Sequence, residues 1–245
     1  MLLHQAVSEQ TRVRPHSVAL IDVGRSRSIT FAQLIEHLNA LAANINAAGA
    51  PPNAAVGLCA EANWMSVVAV LSVSHARCAY VPLDPSYPAE RLRYMADDSS
   101  ICLLVRVMGE QTNVVGGTNP LSWFEGRILD VSVTSDMPPP RAVASASDGS
   151  AHSQGVAVRP PAYILYTSGS SGRPKGVIGS HHAMLQRLQA SLARYPYSSD
   201  EIGCHKTSLN FVDSVCEVLL PLSSGGGLPH FFHARRRTQT LCRKR

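Results

Sequence analysis

The sequence predicts an α/β fold of layered, partly parallel sheets flanked by helices. Three observations carry that expectation. Short β-prone runs alternate with amphipathic helical stretches, the arrangement that builds a largely parallel sheet. The composition, 45% hydrophobic and 16% charged over 245 residues, is that of a chain able to bury a full core. A hydroxyl-rich glycine loop, Thr167 to Lys175, lies between two short apolar runs.

The elements follow in order. A short helical pattern opens the chain and gives way to the β-prone Val18-Ala19-Leu20-Ile21. A long amphipathic helix follows, with Leu34, Leu38, Leu41, Ala42 and Ile45 at helical spacing and Gly49 just past its end. Ala55 to Cys59 reads as a short buried strand, and Asn63 as the N-cap of a helix with Met65, Val68, Ala69 and Val73 on one face. A helix from Ala89 to Asp97 leads to a strand at Ile101–Val105. Residues 132–161, with Pro138, Pro139 and Pro140 and then Ala, Ser, Asp and Gly, read as a loop or linker. Beyond the hydroxyl-rich loop, Ser180 or His181 starts a helix bearing Met184, Leu185, Leu188 and Leu192. Lys206 to Phe211 reads as a strand running into a helix that begins near Asp213.

Charge and cysteines exclude several function classes. The formal net charge of +5 comes from the end of the chain, where Arg235, Arg236, Arg237, Arg243, Lys244 and Arg245 stand without an acid. Without those six the balance is 16 basic against 17 acidic residues, a net of −1, so the body offers no nucleic-acid surface. The apolar run Ser66–Ser74 is too short for a membrane span, and the first residues lack the pattern of a signal peptide. Six scattered cysteines without a CxxC pair fit a reducing compartment, so a cytoplasmic location is expected. His181-His182 has no matching third ligand, and no metal site is expected. Trp64 and Trp123 read as packing residues, and Asp84 as a residue that fixes the geometry of a proline-rich turn.

The loop itself is suited to an anion. Thr167, Ser168, Ser170 and Ser171 offer hydroxyl donors, Gly169 and Gly172 let backbone approach a ligand, and Lys175 adds positive charge. A P-loop needs Gly-Lys-Ser/Thr at a helix start. Here Pro174 precedes the lysine, and Gly176-Val177-Ile178 continues as strand, so that reading fails. The pattern predicts a polyphosphate clamp between two adjacent strands, Ala162–Tyr166 and Lys175–Ile178.

The segment Ala162–Val177, AYILYTSGSSGRPKGV, resembles the phosphate-binding signature of the AMP-forming adenylation superfamily, which includes acyl-CoA synthetases, luciferases and nonribosomal peptide synthetase adenylation domains. Ser171 stands where that signature usually has threonine. Three further segments are similar to family elements in the expected order: Ile29–Leu34, then Cys78–Pro85 with Tyr87–Leu92, then Phe211–Val215. The second is nearest the peptide-synthetase branch, although the glycine that normally precedes it is replaced by His75-Ala76-Arg77-Cys78.

The resemblance implies an incomplete adenylation-enzyme large domain over 1–222, followed by an atypical, disordered basic tail at 223–245. It implies an ATP-dependent, carboxylate-activating ligase in which Thr167, Ser168, Gly169, Ser170, Ser171, Gly172 and Lys175 hold the ATP phosphates with Mg2+. Phosphopantetheine or CoA would accept the acyl group, and a carrier-protein domain of a full-length parent would be a partner. Elements that the family places later do not occur in the sequence, so no catalytic residue and no metal ligand is assigned, and the chain alone is expected to be inactive. The alternative is a truncated remnant with a binding role or none.

In amino-acid-activating relatives the aspartate of the Phe-Asp-x-Ser-Val element pairs with the substrate ammonium. Here Val212 takes that place, Asp213 stands one residue later, and Cys216 is the next pocket position. The shifted carboxylate resembles the arrangement of β-amino-acid activators. Asp213 suits equally well a cap or dipole partner in the first turn of a helix.

Overall fold

A computed structural model describes residues 1–22, 26–60, 63–108, 121–132, 159–168 and 173–230. The chain opens with α1 (Leu3–Val13), β1 (Val18–Asp22) and β2 (Arg27–Thr30), followed by α2 (Phe31–Ala47), β3 (Ala55–Ala60), α3 (Trp64–His75) and β4 (Ala79–Pro82). Next come α4 (Ala89–Asp98), β5 (Leu103–Met108), β6 (Arg127–Ser132), β7 (Pro161–Thr167) and β8 (Lys175–Ser180). It continues through α5 (His181–Arg194) and α6 (Val212–Ser224) to β9 (Leu228–His230).

Six strands form the main sheet in the order β6-β5-β3-β4-β7-β8, parallel throughout except for the antiparallel β7–β8 pair. A smaller sheet, β2-β1-β9, joins an antiparallel to a parallel pairing. The mixed, largely parallel architecture is the one the alternating pattern predicts.

Strand periodicity divides the core in two. On β3, Val56 and Leu58 face the larger cluster, built with α1, α2, α3 and α6, while Ala55 and Cys59 face a second cluster with Leu83, Leu92, Met95 and Tyr166. Helix α4 thus covers the face of the sheet opposite to α3. Gly57 lies on that second face, where an added Cβ would meet Ile101 Cδ1 at 2.8 Å. A side chain there would have to displace the tip of Ile101 and press on Leu83 Cδ1 at 3.2 Å.

Local capping agrees with the sequence. Thr30 accepts from Gln33 N at the start of α2, and Asn63 Oδ1 accepts from Ser66 N at 2.9 Å at the start of α3. Ser180 Oγ accepts from Ala183 N at 3.2 Å and opens α5. Gly49, with φ +86°, follows α2 where a left-handed residue is needed.

Several expectations are corrected. Helix α3 is buried on all sides rather than on one face, because every residue from Trp64 to Ser74 is enclosed between the sheet and α1 and α2. Ser66 and Ser72 are satisfied locally, Ser66 Oγ donating to Asn63 O and Ser72 Oγ to Val68 O, while Ser74 Oγ accepts from His4 N of α1 at 3.3 Å. The strand expected at Ile101–Val105 begins at Leu103 and runs to Met108. Lys206–Phe211 is not a strand. The Glu217 carboxylate takes the N–H groups of Lys206 and Thr207, at 3.0 and 2.9 Å, which a partner strand would otherwise have bound.

Regular structure continues past residue 222. Helix α6 continues through Ser224 to a left-handed Gly225, and Leu228–His230 pairs in parallel with β1 at Leu20–Asp22. The chain after Ser223 therefore stays ordered to His230. The arginine-rich stretch beyond it, and most of the 132–161 linker, lie outside the described residues.

Candidate functional site: the β7–β8 mouth and the start of α6

β7 and β8 form the hairpin expected from the sequence, with Thr167 directly opposite Lys175 and Tyr166 opposite Gly176. Thr167, Ser168, Arg173 and Lys175 are all exposed at its open end. The predicted ligands Gly169, Ser170, Ser171 and Gly172 lie outside the described residues. Lys175 is the first residue of a strand, not of a helix, so no P-loop geometry exists here.

Glycine allows the two strands to pack at this hairpin. A Cβ on Gly179 would collide with the ring of Tyr163, the cross-strand partner of Gly179. At Gly176 it would press on Ile164 Cγ2 at 3.1 Å and Tyr166 Cζ at 3.2 Å. Both tyrosines thereby lie flat across the outer strand.

Helix α4 supports the mouth from below. Tyr166 Oη donates to Asp98 Oδ2 at 2.7 Å, and Tyr94 Oη donates to the Pro174 carbonyl at 3.1 Å. The Tyr94 and Tyr166 rings meet edge to face, centroids 6.4 Å apart. Burial raises the Tyr166 phenol pKa, and the neighbouring Asp98 carboxylate raises it further, so the hydroxyl stays protonated and donates.

The second predicted set lies on α6. Val212 and Cys216 are half-buried and Asp213 is exposed. Asp213 does not cap the helix: the N-cap position is Phe211, which makes no side-chain capping bond, and Asp213 is the second helical residue. Its carboxylate accepts from Arg187 Nη2 of α5 at 2.8 Å. Burial raises the Cys216 thiol pKa, against the pull of the Arg187 guanidinium. Tyr163 feels both Arg187 and Cys216, and its phenol pKa is likewise raised, chiefly by burial.

Strand β7 therefore serves both sets. Tyr163 faces the α5–α6 cluster, and Thr167, four residues on, stands at the hairpin mouth, a separation of about 13 Å along the strand. No described contact joins Lys175 directly to Asp213.

The loop before α6 is organised by carboxylates that sequence reasoning used only in part. Glu217 accepts from two backbone N–H groups and from Thr207 Oγ1 at 2.6 Å. Asp84 accepts from Ser86 N and Ser86 Oγ, as a turn-fixing residue should, and also from Asn210 Nδ2 at 3.4 Å. Tyr94, Asp98, Arg187 and Glu217 were not singled out in the sequence. For Tyr94 the available signal was its place on the expected helix, whereas Asp98 lay one residue past that helix's expected end. For Arg187 there was none. Among the described residues no cluster of three or more His, Cys, Asp or Glu could hold a metal, and no helix is long and apolar enough to cross a membrane.

The family model described as AMP-binding enzyme matches residues 7–243. The chain belongs to the AMP-binding enzyme family. Among members of this family, it is 34% identical to tyrocidine synthase 3 of Brevibacillus parabrevis over 227 residues, 92% of this chain and 3% of that protein. It is 31% identical to bacitracin synthase 3 of Bacillus licheniformis over 229 residues, covering 92% of this chain and 3% of that one. With phosphinothricin tripeptide synthetase PhsB of Streptomyces viridochromogenes the figures are 33%, 91% and 18%. The chain thus spans only a small part of the relatives it matches.

Solved structures share the AMP-binding fold. The AMPPNP-bound form of the nonribosomal peptide synthetase FmoA3 aligns with TM-score 0.73 at 22% identity, over 93% of this chain and 22% of that one. The Klebsiella oxytoca NpsA N-terminal subdomain aligns with TM-score 0.70 at 20% identity, over 93% and 53%.

Proposed function

We propose that this chain is part of an ATP-dependent, carboxylate-activating ligase of peptide-synthetase type, and that its β7–β8 mouth holds the nucleotide phosphates. The observation that carries the reading is the cross-strand pair Thr167–Lys175, which places a hydroxyl and a cation side by side at the open end of a glycine-containing hairpin. Both groups are exposed, so neither is committed to a buried partner. Such a pair suits the spread negative charge of a polyphosphate.

In that reaction a carboxylate oxygen bonds to the α-phosphorus while the α–β bridging oxygen leaves with pyrophosphate. The residues of the mouth contribute by positioning and charge stabilisation. Mg2+ would enter with the nucleotide, largely on its phosphate oxygens. A carrier-bound phosphopantetheine or CoA would take the acyl group in a longer protein, and a cytoplasmic setting fits that chemistry.

The substrate would lie against α6. Val212 cannot accept from an ammonium group, so the solvent-exposed Asp213 beside it is the carboxylate assigned to that role. A substrate ammonium there would compete with Arg187 for the same oxygens. This arrangement fits a β-amino acid.

Titration of the 245-residue chain with inorganic tripolyphosphate and with MgATP tests the phosphate reading. Binding that is lost in Lys175→Ala supports it, and equal binding by the variant rejects it. Carboxylate-dependent ATP–pyrophosphate exchange is expected to be absent with this chain alone, since it covers only 53% of the NpsA N-terminal subdomain with which it aligns.

A further inference from the structure

We propose that Tyr94 and Asp98 of α4 are positioning residues for the β7–β8 mouth, setting the backbone that carries Thr167 on one strand and Lys175 on the other. The proposal rests on the phosphate reading of the β7–β8 mouth and adds two residues to it.

The two hydrogen bonds fall on opposite sides of the loop. Asp98 accepts from Tyr166, the residue just before Thr167 on the incoming strand. Tyr94 donates to the carbonyl of Pro174, the residue just before Lys175 on the outgoing strand. Each tether is therefore one residue away from a proposed phosphate-binding side chain. Tyr94 and Asp98 are four residues apart, on one face of one helix, so they act as a single rigid support.

That support is itself fixed. Leu92 and Met95 of α4 are fully buried in the second core cluster, together with Tyr166. The groups it would place are not fixed by packing: Thr167, Ser168, Arg173 and Lys175 are all exposed. A lysine is a point charge on a flexible stem, so its aim depends on the backbone that carries it. Pro174 has no N–H, which leaves its carbonyl as the backbone group through which this side of the loop can be tethered. The tethers thus lie where precision is needed and where packing does not supply it.

A purely structural role would lower stability without acting on the ligand. The experiment measures tripolyphosphate affinity and thermal midpoint for the 245-residue chain and for Tyr94→Phe, Asp98→Ala and Asp98→Asn. Amide exchange at Thr167 and Gly176 is followed in parallel. Tyr94→Phe and Asp98→Ala are expected to weaken binding by about 3- to 10-fold, the worth of one hydrogen bond. Their midpoints should stay within about 3 °C of the parent. Asp98→Asn, which keeps an acceptor for Tyr166, should restore affinity. Faster amide exchange at the mouth in the two weakened variants supports the same assignment even if one of them proves less stable.

Unchanged affinity in both variants overturns the positioning role while leaving the phosphate reading intact. Affinity and midpoint falling together, with Asp98→Asn as damaging as Asp98→Ala, also overturns it. A parent chain that binds no tripolyphosphate rejects the phosphate reading and the positioning role with it.

Discussion

Arg187 and Asp213 meet at 2.8 Å across the gap between α5 and α6, with both side chains substantially open to solvent. An ion pair in that setting is screened and entropically costly to hold, and is worth about 0–1 kcal/mol. Asp213→Ala is therefore expected to lower unfolding stability by less than about 1 kcal/mol in urea titration. A loss above about 3 kcal/mol would instead mark a desolvated pair. In a longer protein that activates substrate, the same variant should erase a preference for a β-amino acid over its α-isomer.

Glu217 is a more demanding position. It accepts from Lys206 N, Thr207 N and Thr207 Oγ1, and so orders the segment leading into α6. Hydrogen bonds to a charged group contribute about 1.5–3 kcal/mol each, and they are not additive within one cluster. Glu217→Ala should cost about 2–4 kcal/mol by chemical denaturation, with Glu217→Gln retaining part of the stability. A Glu217→Ala effect below about 0.5 kcal/mol would show that water replaces all three bonds at little cost.

Tyr80 behaves in the opposite sense. Its ring is fully buried against Tyr163, centroids 6.0 Å apart, and its Oη makes no hydrogen bond within the described structure. Tyr80 lines a small, mostly apolar cavity together with Leu3, Val70, Leu71, Leu209, Val215 and Val218. Removing an unsatisfied buried hydroxyl relieves a desolvation cost of about 1–3 kcal/mol. Tyr80→Phe is expected to leave the thermal midpoint unchanged or raise it. A clear decrease would mean that the hydroxyl finds a partner in solution.

Acid should loosen the N-terminal helix. His4 and His181 are buried where α1 meets α3 and α5, and His4 stacks edge to face on His75 at 4.6 Å. Burial, and then the charges of His75 and His181, lower His4 to about 3. Burial and the N-terminal ammonium lower His181 to about 4. Burial also lowers His75. An unfolded imidazole titrates near 6.5, so between that value and the folded ones the unfolded chain binds more protons. Stability is then complete above about pH 6.5, falls as pH drops toward 4, and falls little further below about 3. Melting curves from pH 7.5 to 4.5 should show the decline, and His4→Gln should flatten it.

The fold was legible wherever a local signal coincided with its tertiary use. Thr30, Asn63 and Ser180 cap helices as their types predict, and the hydroxyl-rich loop joins two adjacent strands as expected. Lys206–Phe211 was misread because its alternating Leu209 and Phe211 look the same whether a partner strand or the Glu217 carboxylate satisfies its backbone. Helix α3 was misread because helical spacing reveals one packed face but not how many neighbours enclose it. At the candidate site, residue types alone single out Thr167, Ser168 and Lys175 as the proposed phosphate ligands. The supports from Tyr94, Asp98 and Arg187 depend on contacts between elements far apart in sequence, which no local pattern encodes.

The parallel pairing of Leu20–Asp22 with Leu228–His230 ties the first strand of the chain to its last described one. Closing that pairing needs a loop of about 200 residues, among the slowest kinds of contact to form. During synthesis at about 5–20 residues per second, β1 would leave the ribosome at least about 10 seconds before β9 exists. Through that interval one edge of the β-prone Val18–Asp22 lacks its native partner. Among the described elements the small sheet is thus the last that can be completed, and until β9 arrives that edge of β1 stays open to pairing.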